Sequence, residues 1–104
     1  MIILTDKAKQ DFGRWHFERR TSIEEYKSFH KLSETAQYAV IIEWFDSVGI
    51  YIQVGSYDNY PETDFAFNVV RNDGSNAMFD CGFIDRIVAT KEAIEFSNDL
   101  YNKI

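Results

Sequence analysis

Seven consecutive residues, Arg14-Trp15-His16-Phe17-Glu18-Arg19-Arg20, interleave basic and aromatic side chains. Such a run can neutralise phosphates and stack bases, which makes Arg14, Arg19 and Arg20 the candidate nucleic-acid contacts. The same residues also have a structural reading. On a helix Trp15 falls in line with Ala8 and Phe12, and Arg14 pairs with Glu18 at i, i+4. Cys81 is the single cysteine. A thiol nucleophile needs exposure, a neighbouring base and an oxyanion site. In strand alternation with Phe79 and Phe83, Cys81 reads instead as a small buried hydrophobe. His16 and His30 lack the spacing of a zinc site, and each falls on a helix beside aromatics, as a packed or surface imidazole. Asp58, Glu62 and Asp64 form an acidic loop without the alternating oxygens and central glycine of a calcium loop. The five glycines build neither a dinucleotide fingerprint nor a phosphate loop. Seventeen acidic residues guarantee some neighbouring carboxylates by chance, so no acid–base pair stands out. No catalytic residue, metal set or cofactor is assigned.

Residues suited to gripping a protein are easier to name. Tyr57, Tyr60 and Pro61 sit in a polar stretch, Ser56 to Thr63, that reads as a loop, and exposed aromatics are favoured interface anchors. Tyr51 and Gln53 fall on the less apolar side of a strand from Ile50, whose Ile50, Ile52 and Val54 face inward. Tyr57, Tyr60, Tyr51 and Gln53 are therefore the candidate partner-binding residues. A variant of this reading is an acidic inhibitor that imitates nucleic acid, with Asp58, Glu62, Asp64, Asp73, Asp80 and Asp85 as its charges.

The elements that must position these residues follow from the repeat length of apolar side chains. A helix from Thr5 or Asp6 to Arg20 carries Ala8, Phe12, Trp15 and Arg19 on one face, with Thr5 or Asp6 as its cap. Ser22-Ile23-Glu24-Glu25 matches a capping box, opening a second helix with Tyr26, Phe29, His30 and Leu32 inward. Between Ser33 and Gly49 the spacing of Tyr38, Ile41, Ile42, Phe45 and Val48 favours a helix. The β-forming Val40, Ile41, Ile42, Trp44 and Phe45, followed by Asp46-Ser47, allow a hairpin there instead. From Ile50 the period becomes two. A second strand places Phe65, Phe67 and Val69 on one side, Asn72-Asp73-Gly74 makes a tight turn, and a third strand, Ala77 to Phe83, turns Ala77, Phe79, Cys81 and Phe83 inward. Thr90 caps a last helix to Asn102 that buries Ala93, Ile94, Leu100 and Tyr101. The fold class is α+β: N-terminal helices, a three-stranded antiparallel meander and a C-terminal helix packed on one sheet face. The other face would carry Tyr51, Gln53, Ala66, Asn68, Val70, Met78 and Asp80. That face, or a free edge, is where a homodimer is expected.

The chain has 104 residues and a mass of 12.2 kDa, the size of one domain. Its 16% aromatic content supplies the large buried areas that so short a chain needs. One cysteine excludes an intrachain disulfide, and the absence of a basic leader with an apolar core points to the cytoplasm. No apolar run approaches membrane-spanning length. Net charge is −6, with seven basic against five acidic groups up to residue 31 and four against twelve thereafter. An acidic surface repels duplex phosphate unless the basic end docks. Ile41-Ile42-Glu43-Trp44-Phe45-Asp46-Ser47-Val48-Gly49-Ile50-Tyr51-Ile52 and Ala93-Ile94-Glu95-Phe96-Ser97-Asn98-Asp99-Leu100-Tyr101-Asn102 resemble small uncharacterised proteins carried by phages and mobile elements of bacteria. The resemblance covers about a fifth of the chain and implies a bacterial or phage cytoplasmic setting and an accessory role. The expected function is a non-enzymatic protein-interaction module. The alternatives are a nucleic-acid-associated regulator using the Arg14 to Arg20 helix, or a small-ligand-binding or hydrolytic domain with a cleft between the last helix and the sheet.

Overall fold

The computed structural model describes residues 4–19, 28–59 and 62–104. Its elements run α1 (Asp6–Arg19), a 3-10 turn (Ser28–Lys31), α2 (Glu34–Ser47), β1 (Ile50–Asn59), β2 (Glu62–Arg71), β3 (Asn76–Phe83) and α3 (Arg86–Asn102). The strands form one antiparallel sheet in the order β1-β2-β3, with α2 and α3 against it and α1 packed on those two helices. Arg20 and the proposed capping box at Ser22 to Glu25 lie outside the described residues, as does Tyr26. Of the rest of that second helix, Phe29 is buried, whereas His30 and Leu32 are exposed.

The segment from Ser33 to Gly49 is helical, because Ser33 supplies the cap: its hydroxyl accepts from Ala36 N at 3.2 Å. The buried face is Gln37, Tyr38, Ile41, Trp44 and Phe45 rather than one running on to Val48, which is exposed. Gly49 then turns the chain into β1 at φ 82°, where a Cβ would lie 2.9 Å from Asn72 Cβ.

The last helix starts four residues earlier than Thr90. Asp85 caps it by accepting from Val88 N at 2.8 Å, and Thr90 lies inside, its hydroxyl bonded back to Arg86 O. Ala93, Ile94 and Tyr101 are buried as expected, and Leu100 packs against the core at its margin. Asn98 and Asn102 from the same helix cap α1. Asn98 Oδ1 accepts from Thr5 N at 2.9 Å, Asn102 Oδ1 accepts from Ala8 N at 2.8 Å, and Asn102 Nδ2 donates to Thr5 O at 3.0 Å. Asp6 has φ 52° and so lacks the extended backbone of a capping residue, and the Thr5 hydroxyl accepts from Asn98 Nδ2 at 3.0 Å; the first-turn amide of Ala8 is satisfied from 94 residues away.

The stretch expected as a loop, Ser56 to Thr63, is largely strand. Tyr57, Asp58 and Asn59 pair with Asp64, Thr63 and Glu62, since main-chain ladder bonds form whatever the side chains. Of that stretch, positions 60 and 61 lie outside the described residues.

In β3 the register skips Ala77 and Gly82, the latter at φ 91°. Each extra residue is a bulge that shifts the alternation by one. Phe83 and Ala77 pack against the core as expected, but between the bulges the faces are exchanged. Phe79 and Cys81 sit on the outer face, both exposed, and Met78 and Asp80 are aligned with Val69 and Phe67. Met78 and Asp80 remain exposed because α3 barely reaches β3. The core proper joins Phe12, Phe29, Ile41, Trp44, Phe45, Ile50, Phe67, Val69, Ile94 and Tyr101. No helix among the described residues is long and apolar enough to cross a membrane.

Candidate functional site

Antiparallel partners share a face, so the ladders place the outer residues in three rows across the sheet. Tyr51, Val70 and Asn76 form the first, Gln53, Asn68 and Phe79 the second, and Gly55, Ala66 and Cys81 the third. The second row is a ridge. Asn68 Nδ2 donates to Gln53 Oε1 at 3.4 Å, and the Phe79 ring is 49% exposed. The third row holds only small side chains, and a depression of about 270 Å³ opens there beside Phe79 and Asn68. None of the nine residues is charged, in a chain of which 27% is. The next residue of β2 on this face, Asp64, bounds the patch.

Tyr51 and Gln53 thus lie where expected. Tyr51 is anchored by donating its hydroxyl to Asn72 Oδ1 at 3.1 Å. Tyr57 pairs with Asp64 in the β1–β2 ladder, and Tyr60 falls outside the described residues. Phe79 and Cys81 are the members of the face that the sequence pattern assigned to the core. The signal for their reversal is Gly82, a glycine inside a strand pattern.

The basic helix is arranged differently. Arg14 is exposed, but Arg19 Nη1 lies 2.6 Å from Glu43 Oε1 and its guanidinium stacks 4.7 Å from the Trp15 ring. His16 is 2% exposed, 5.6 Å from the Phe12 ring and 5.1 Å from that of Phe29. Trp15 packs against the core at its edge. Trp15 and His16, two of the three aromatic rings of the run, therefore pack against the protein interior, and Phe17 is exposed beside them.

The strongest cluster of titratable groups joins α1 to α3. The Tyr101 hydroxyl donates to Asp11 Oδ2, which lies 3.3 Å from Lys7 Nζ, and Lys7 sits 4.4 Å above the Tyr101 ring. The Tyr101 hydrogen bond, with Lys7 second, holds the Asp11 carboxyl below its ordinary value, while burial pushes the Tyr101 phenol up. These groups satisfy one another across the helix junction, which is the chemistry of a clasp.

A second depression, about 180 Å³, lies between α2 and α3 and is lined by Tyr38, Ala39, Ile42, Ile87 and two threonines. Arg86 at its rim donates to Val54 O at 3.3 Å and lies over the Phe65 ring. Burial, with the Glu34 carboxylate next, pushes the Tyr38 phenol up to about 12, so at neutral pH it is no base. Among the described residues, no group of three His, Cys, Asp or Glu side chains converges as a metal set would. No family model matches the chain, and no curated protein or solved structure matches it either.

Proposed function

We propose that this chain is a non-enzymatic protein-interaction module whose contact surface is the sheet face on which no described helix packs. The observation that carries the reading is the run of nine uncharged outer positions, Phe79 exposed among them, on a molecule of net charge −6. An open face of an antiparallel sheet ordinarily alternates toward charged and polar residues, whereas interface centres are depleted of charge and enriched in aromatics. The resemblance to phage-carried proteins gives this module an accessory setting. The nucleic-acid alternative has less to work with, because Arg19 is already paired with Glu43 and stacked on Trp15.

A photo-crosslinking amino acid at Gln53 tests the reading, with one at the exposed Glu92 of α3 as control. Irradiation in cell extract should join a polypeptide to the Gln53 position in larger yield than to the Glu92 position. Equal yields, or none, would count against the sheet face.

A further inference from the structure

We infer that the occupant of this face is a second copy of the same chain, bound about a two-fold axis so that the ridge of each copy fills the groove of the other; the inference rests on the interaction reading above. Ridge (Gln53, Asn68, Phe79) and groove (Gly55, Ala66, Cys81) are successive rows on one face, separated by two residues, or roughly 7 Å along the strands. A two-fold axis that runs across the strands midway between the rows turns the face over and exchanges the two rows. Gln53 then lies over Gly55 of the other copy, Asn68 over Ala66 and Phe79 over Cys81. A bulky row meets a small one at all three strands, and sulfur beside an aromatic ring is a favourable contact. Packed sheets stand about 10 Å apart, a gap that side chains from both faces must fill. Two ridges stacked on each other would clash and two grooves would leave a void; only the exchanged arrangement fills the space. A two-fold contact of this type closes on itself, so the product is a dimer and not a fibre.

Charge permits the same occupant. Two copies of net charge −6 repel, and the repulsion is worst where carboxylates are brought face to face. Nine uncharged positions remove that obstacle from the centre of the contact, with Asp64 at its margin. A cationic partner would instead find no carboxylate at its centre. The amides of Gln53 and Asn68 are donor and acceptor at once, so they can pair with their own kind. The axis also carries Asp64 onto the row of Tyr51, Val70 and Asn76, where the Asn76 amide is a donor. In area, three strands about 4.8 Å apart and eight residues long cover roughly 400 Å² of plane per copy. That size belongs to the weak, reversible class of contact, and the core of each copy lies on its other face, so the monomer folds alone.

Sedimentation equilibrium on the purified chain, followed with the reactivity of Cys81 toward a disulfide reagent, tests this. Between about 1 μM and about 1 mM the mass should climb from 12.2 kDa toward twice that value, and the thiol should become several-fold slower to react. Raising salt from about 20 to about 200 mM should strengthen association by screening like charge, where a cationic partner would be released. Phe79→Asp and Gln53→Glu, both at exposed positions, should stay at 12.2 kDa with an unchanged unfolding curve and a concentration-independent thiol rate. A wild-type chain that remains a monomer at about 1 mM overturns the inference, as does a dimer that both variants leave intact. If the chain stays monomeric while the Gln53 crosslinker still joins a different polypeptide, the second copy is wrong and the interaction face stands. If neither happens, both readings fall.

Discussion

The two faces of the same three strands are built to opposite rules. On β2, Phe67 and Val69 are nearly inaccessible beneath α2 and α3, while Ala66, Asn68 and Val70 alternate with them on the face where no described helix packs. The helix side is branched and aromatic; the other side has small residues, amides and two exposed aromatics, with no charge among its nine central positions. Because strand side chains alternate with period two, a single strand can serve folding with one set of residues and recognition with the other. Substitutions on the two faces should therefore separate stability from association.

The largest effect is expected under the helices. Phe67→Ala removes a side chain that is 4% exposed and should cost about 3–5 kcal/mol in chemical denaturation, whereas Phe79→Ala should cost under about 0.5 kcal/mol. Next comes the amide clasp. Asn102→Ala leaves Ala8 N without its partner and should cost about 1–2 kcal/mol, readable in the same experiment. A third prediction concerns pH. Burial pushes the folded Tyr38 phenol up from the ordinary 10.0 to about 12, so folding favours its neutral form. That stabilisation is complete below pH 10 and is lost as pH rises through about 12, and Tyr38→Phe should flatten this part of the curve. At the acid end the sign reverses. Asp11 is held below its ordinary value by Tyr101 and Lys7, so its contribution is present at neutral pH and disappears as pH falls below about 4. Stability against pH for Asp11→Asn should lack that acid loss. The smallest effect belongs to the basic helix: Arg14→Ala with Arg19→Ala should change stability by less than about 1 kcal/mol, because the Arg19–Glu43 pair is solvent-exposed. In a low-salt titration, neither wild type nor this variant should bind single- or double-stranded nucleic acid.

Much of the fold was legible from spacing and capping residues. The helical stripe of Tyr38, Ile41 and Phe45 outweighed the β-forming types in the same segment, and Ser33 marked the start of the helix. Ile50, Ile52 and Val54 faced the core at period two. What escaped was non-local. The cap of α1 comes from Asn98 and Asn102, which no local pattern in Thr5-Asp6 announces. Asp85 began α3 ahead of Thr90, although a carboxylate is as good a cap as a hydroxyl. The outer face was half legible: Tyr51, Gln53, Ala66, Asn68 and Val70 fell out of the alternation. Two bulges in β3 reversed Phe79 and Cys81 against Met78 and Asp80, and of the two only the one at Gly82 is marked by a glycine in the strand itself.

The separation of the two faces is tested most directly by measuring unfolding free energy and self-association together for Phe67→Ala and Phe79→Asp. The expected result is a crossed pattern, in which the first variant loses most of its stability and the second loses association with its unfolding midpoint unmoved. If Phe79→Asp unfolds as readily as Phe67→Ala, or associates as the wild type does, the outer face is not a recognition surface.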